Sequence, residues 1–143
     1  GGCFMSVPDH VALQGAVFQA LRAHIPLLAA LGGDLRNVGA FSHPDTVRPY
    51  VVIEGIASQP VATQEDIVHE CNIVCAVYSD QPGGTQARDI IGHVAQALES
   101  ALVFDGYSVV LQQGTAAQVQ VTGDGRTYRG TYALRVVIEK NEE

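Results

Sequence analysis

The sequence predicts an α+β fold: an antiparallel β-sheet with helices packed on one face, in the order α-α-β-β-α-β-β. Three observations carry this. Apolar residues recur at helical spacing through the segment after Gly84. Strand-like runs follow one another through turn signals instead of alternating with helices. The last run alternates apolar and polar residues with period two.

The first helix runs from about Asp9, a capping type, to His24, with Leu13, Ala16, Val17, Ala20 and Leu21 on one stripe. Pro26 fits the first turn of a second, short helix, Ile25 to Leu31, which Gly32 and Gly33 stop. Asp34 to Arg48 reads as irregular chain around Gly39 and Pro44. Tyr50 to Ala57 is a strand rich in β-formers, and Ser58 to Gln64 is a polar loop or hairpin tip. Asp66 to Ser79 is the second long strand, with room for one short extra strand before it. Asp80 to Gly84 breaks the chain, and Thr85 is placed to cap a helix reaching Leu102. Ala87, Ile90, Ile91, Val94, Leu98, Ala101 and Leu102 form its apolar stripe. After the Asp105-Gly106 turn, Tyr107 to Gln113 is a strand that Ala116 to Val121 continues or follows, alternating Ala117, Val119 and Val121 with Gln118 and Gln120. Thr122 to Gly125 signals a hairpin. The last strand, Arg126 to Glu139, sets Tyr132, Leu134, Val136 and Ile138 on one face and Arg129, Thr131, Arg135 and Glu139 on the other. One domain over residues 9–139 is expected. Residues 1–8 read as a tag remnant or disordered start, and 140–143 as a solvated tail.

Composition narrows the function. Hydrophobic residues make up 47% of the 143, enough for a packed core, while charged residues make up 16%, below the usual quarter. A surface short of charge suits coverage by other subunits. The formal charge is −7, and Lys140 is the one lysine. A basic face for gripping nucleic acid or an anionic membrane is missing, and no apolar run approaches the roughly 20 residues of a membrane span. Three cysteines argue against a disulfide framework.

Chemistry-bearing types are present without chemical spacing. His69, Cys71 and Cys75 share one strand face. Four residues of strand separate the two thiols by about 13 Å, too far for one zinc ion. They read as two small buried hydrophobes and a sheet-edge histidine. Ser79, Asp80 and His93 are hydrolase types without a nucleophile elbow, and His43 with Asp45 lies in a proline-flanked loop. Gly83-Gly84 precedes a helix but lacks the lysine of a phosphate cradle, so the glycines set the direction in which the helix starts. No motif calls for a cofactor. Arg126, Arg129 and Arg135 are either a solvated sheet face paired with Glu139 or Asp124, or donors at a subunit or docking contact.

The order of elements, with Ala12-Leu13-Gln14-Gly15-Ala16-Val17, Leu27-Leu28-Ala29-Ala30-Leu31-Gly32, Arg48-Pro49-Tyr50-Val51-Val52-Ile53, Val77-Tyr78-Ser79 and the hairpin Asp124-Gly125-Arg126-Thr127-Tyr128-Arg129-Gly130, resembles the phage tail terminator, or tail completion, proteins. These also occur in prophages and gene transfer agents. The resemblance covers residues 9 to 139. It implies a structural virion protein and no enzyme: a six-membered ring on the finished tail tube, made in the host cytoplasm and placed at the head–tail junction. Its implied partners are itself, the tail-tube protein and the head–tail connector (stopper) protein, with DNA passing through the lumen without specific binding and no membrane. The residues expected at subunit or tube contacts are Gln59, Gln64, Glu65, Asp66, Asp124, Arg126, Arg129 and Arg135. Two rivals remain at this point: a small dimeric α+β module with a ligand pocket between helix and sheet, and a small hydrolase using His43, Asp45 or His93.

Overall fold

The computed structural model describes residues 10–31, 38–39, 49–60, 68–100, 102–103, 106–122 and 125–140. Among these, three helices and five strands follow in the order α1 (His10–Ala23), α2 (Ile25–Ala30), β1 (Val38–Gly39), β2 (Tyr50–Pro60), β3 (Val68–Ser79), α3 (Thr85–Ala97), β4 (Tyr107–Val121) and β5 (Tyr128–Lys140). One sheet holds them in the order β1-β2-β3-β5-β4. The four long strands pair antiparallel with one another. The expected α+β order therefore holds. The expected cap Asp9, the chain start 1–8 and residues 141–143 lie outside the described residues.

The period-two pattern of β5 builds the core. Tyr132, Leu134, Val136 and Ile138 are buried against Ile90, Ile91, Val94 and Leu98 of the α3 segment and Leu13, Val17 and Leu21 of α1. Cys71, Ile73, Cys75 and Val77 of β3 complete that layer. Burial of such side chains is the main stabilising term, worth about 1.5–3 kcal/mol for each fully buried aliphatic.

Several expectations shift, each for a tertiary reason. The extra short strand precedes β2, inside the segment read as irregular, and pairs in parallel with Val51 and Val52. β2 runs on to Pro60, because Ser58, Gln59 and Pro60 still face Cys71, Glu70 and His69. A proline is tolerated at the end of such a strand. The α3 helix ends at Ala97, five residues early. There Gln112 of β4 intervenes: its amide donates to Leu98 O at 2.6 Å and Ser100 O at 2.8 Å, and its carbonyl accepts from Leu102 N at 2.9 Å. The N-cap of α3 is Gly84 and not a Thr85 side chain. Gly84 has φ +73, and a Cβ there would sit 3.1 Å from the Tyr128 ring. His69 is no edge residue: β3 lies between β2 and β5, and His69 is 2% exposed on the core side. β4 is one strand, with irregularities at Val109/Leu111 and Gly114/Ala116 absorbing the glycine.

Candidate subunit and tube interface

The helices cover one face of the sheet, and the register defines what the open face carries. Across β2, β3, β5 and β4 the row nearest the β4–β5 hairpin is Tyr50, Tyr78, Arg129 and Gln120. Further along, Ala57, Asn72, Arg135 and Gln113 form another, then Gln59, Glu70, Val137 and Leu111. Between them lie the rows Val52, Ala76, Thr131 and Gln118, and Gly55, Val74, Ala133 and Ala116, with Glu54 beside them.

Both open-face arginines of β5 are engaged within the sheet. The irregularity at Ile53/Gly55 sets Glu54 of β2 against Arg129 of β5 and across Tyr78 of β3. Arg129 Nε donates to Glu54 Oε1 at 3.1 Å and to the Tyr78 hydroxyl at 3.3 Å, and Nη2 pairs with Glu54 Oε2. The Tyr78 hydroxyl donates to Glu54 Oε1 at 2.6 Å. Tyr50 stacks on the Tyr78 ring at 5.2 Å between centroids. Burial opposes ionisation of Glu54, but the bonds from Arg129 and Tyr78 outweigh it and hold its carboxyl below the usual range. Tyr78 is pushed up by burial and by the Glu54 acceptor. Arg135 Nε donates to Glu70 Oε1 at 2.7 Å, and Gln59 Nε2 donates to Glu70 Oε2 at 3.5 Å. The Arg135 bond holds Glu70 low as well. The partners of Arg129 and Arg135 are thus Glu54 and Glu70 of other strands, while Asp124, which chain proximity also suggests, lies outside the described residues.

Of the expected contact residues that are described, Arg126 and Arg129 lie toward one end of the sheet and Gln59 and Arg135 toward the other. Arg126 is exposed at the β4–β5 tip, and Arg129 lies just below it. Gln59 lies near the far end, where β2 leads toward β3. From Glu70, opposite Gln59, to Tyr78, opposite Arg129, β3 advances by eight residues, roughly 26 Å. Gln64, Glu65, Asp66 and Asp124 lie outside the described residues, as do His43 and Asp45. The hairpin tip is anchored at its base. Thr122 N donates to Thr127 O at 2.8 Å, and the buried Thr127 hydroxyl donates to Asp80 Oδ1 at 3.2 Å. Gly83 N donates to the Tyr128 hydroxyl at 3.2 Å, which ties the tip to the start of α3.

The β4 edge carries a feature that periodicity alone does not disclose. Residues 106–123 contain no charged residue and no proline, and most of this run is β4, an edge of the sheet. The alternation of Ala117, Val119 and Val121 suggests half-burial, yet only Val119 of the three is partly covered. Val110, Leu111 and Val121 are 60%, 39% and 51% exposed. The length of the uncharged run was the available signal.

The residues of the hydrolase reading are occupied apart from one another. Ser79 donates to Gln86 at 2.5 Å, Asp80 accepts from Thr127, and His93 lies 3.5 Å from Asp89. Cys71 and Cys75 face the core four residues apart, and burial pushes their thiols up to about 11 and about 12. A cleft of about 390 Å³ lies between α1 and the end of α3, lined by Ala16, Ala20, His24, Ala97 and Leu102 among others, none of them carrying a fixed charge. It belongs to the helix layer and not to a helix–sheet junction. No helix of the described residues is long and apolar enough to cross a membrane.

The model of the family described as tail completion protein gp17 matches residues 15–139. The tail completion protein gp17 of Bacillus phage SPP1 is 31% identical over 134 residues, 91% of this chain and 94% of that protein. Two solved structures resemble the fold. A chain in the virion of a native gene transfer agent particle is 25% identical with a TM-score of 0.79, over 94% of this chain and 99% of that one. The structure of bacteriophage SPP1 gp17 is 28% identical with a TM-score of 0.62, over 93% of both chains.

Proposed function

The chain belongs to the tail completion protein gp17 family of structural tail proteins, and on that premise we propose that it caps a phage-like tail tube. Six copies form a ring that ends tube growth and offers the head connector its docking face, at the head–tail junction of a phage or gene transfer agent virion. The observation that carries this reading is the likeness along almost the entire length of a chain inside a gene transfer agent virion.

The geometry supports it. A ring between tube and connector needs two contact ends on each subunit. The β4–β5 tip with Arg126 and Arg129, and the β2–β3 end with Gln59, lie toward opposite ends of the sheet. One end would meet the tube and the other the connector. DNA that must pass without trapping is served by a formal charge of −7. It is served also by Glu54 and Glu70, which neutralise the two open-face arginines.

The test is deletion of the gene from its phage or element, with tails measured in negative stain. Overlong, headless tails restored to uniform length by the wild-type gene are expected. Joined particles with tails of normal length would refute the capping role.

A further inference from the structure

We propose that the ring wall is one continuous antiparallel sheet, in which β4 of each copy pairs with the outer edge of β2, Gly55–Pro60, of the next copy. This rests on the ring reading above and names the surfaces that build it.

The first observation is that β4 is an edge without the usual protection. Edge strands expose unpaired N–H and C=O groups, and soluble proteins blunt them with lysine, proline, inward charges or short length. β4 has 15 residues and no charge or proline, and among the described residues its two irregularities are the only features that blunt it. Three of the six large hydrophobics exposed among the described residues sit on it.

The second observation is the opposite edge. β1 pairs with β2 only at Val51 and Val52. Beyond those residues no described strand pairs with the outer side of β2, and Gly55 to Pro60 carries no charge. The nearest charge, Glu54, is held by Arg129 of its own sheet.

The third observation decides the occupant. β2, β3, β5 and β4 alternate in direction, so β4 runs opposite to β2. When copies are related by rotation, β4 of one and β2 of the next meet antiparallel, the better-paired arrangement. Each copy then uses both edges once, and the contact is head-to-tail, the kind that closes into rings. A two-fold β4–β4 dimer would leave both β2 edges open. Side-to-side pairing also runs the strands across the ring wall, which puts the two sheet ends on its two faces.

The experiment is cross-linking of rings on tails, in a Cys3→Ser background so that only buried native thiols remain. Ala57→Cys is combined with Leu111→Cys or with Gln118→Cys, and a flexible bis-maleimide is added. A ladder reaching six subunits from at least one pair, and no dimer from any single-cysteine variant, is expected. Dimers from Leu111→Cys or Gln118→Cys alone would show β4–β4 pairing and overturn the proposal. Rings visible in negative stain with no ladder from either pair would overturn it too. If the wild-type protein neither forms rings nor limits tail length, the capping reading fails instead. The two failures are therefore distinct.

Discussion

Arg129 joins three strands, so its removal should be felt by the isolated subunit before any partner is met. The guanidinium gives Glu54 two bonds and Tyr78 a third. The paired side chains are 29% and 27% exposed, between a surface pair and a buried one. Exposed pairs couple by about 0.2–1 kcal/mol, and single bonds to charged groups are worth about 1.5–3 kcal/mol. With solvent screening counted, we expect a coupling of about 1 kcal/mol between Glu54 and Arg129. Arg129→Gln should lower stability by about 1–2 kcal/mol, partly because Glu54 keeps its charge and loses its partner. The assay is a double-mutant cycle of Glu54→Gln and Arg129→Gln in urea, read by far-UV circular dichroism. A coupling below about 0.3 kcal/mol, within the additivity of independent sites, would show that the pair does not hold in solution. Arg129 would then be available to a neighbouring subunit or tube monomer, as its sequence position suggests. A coupling near the expected value makes Arg129→Glu a poor interface probe, because that change also sets two carboxylates against each other inside the sheet.

Other outcomes follow from the same geometry. Leu98→Ala should cost roughly 2–5 kcal/mol in urea denaturation, since Leu98 is 2% exposed in the α3–β5 core; a loss under about 0.5 kcal/mol would place that stripe elsewhere. Gly130→Ala should destabilise by about 1–3 kcal/mol, because its Cβ would lie 2.6 Å from Ile91 Cγ1. Ile91→Val in the same chain should recover part of that loss, and no recovery would mean that the strain lies in the backbone. Glu54 and Glu70 have lowered native values, so their stabilisation is complete above the ordinary value of 4.5 and fades as pH falls through the native ones. Melting temperature should therefore fall below about pH 4.5, and fall less steeply in Glu54→Gln. Cys71 and Cys75, buried with raised pKa values, should resist iodoacetamide at pH 8 until urea unfolds the chain. Labelling at the rate of a free thiol would show that the β3 core side opens.

The fold was legible wherever local period and burial agreed. The β5 alternation and the α3 stripe each name the side that meets the core, and Ile91 and Val94 do pack in one cluster with Tyr132 and Leu134. The boundaries that moved were set by residues distant in sequence. Nothing between Ala97 and Leu102 announces that Gln112 will take the Leu98 and Ser100 carbonyls and end the helix. Nothing near Gly39 announces a parallel strand, because that pairing depends on where β2 comes to lie.

The candidate site divides along the same line. That Arg129 and Arg135 share a face with Thr131 follows from period two alone. That Glu54 sits opposite Arg129 depends on an irregularity in β2 and on strand order, separating the two residues by 75 positions in the chain. Chain proximity pointed to Glu139 and Asp124 because a hairpin is the only pairing that turn signals disclose. The edge was the reverse case. Its signal was an absence of charge over residues 106–123, plain in the sequence, but it gains meaning only once β4 is known to be outermost. An uncharged run of that length in the middle of a sheet would be ordinary core. At the edge of a subunit with 16% charged residues, it makes a strand whose outer side pairs with no described strand and which a neighbouring copy can extend.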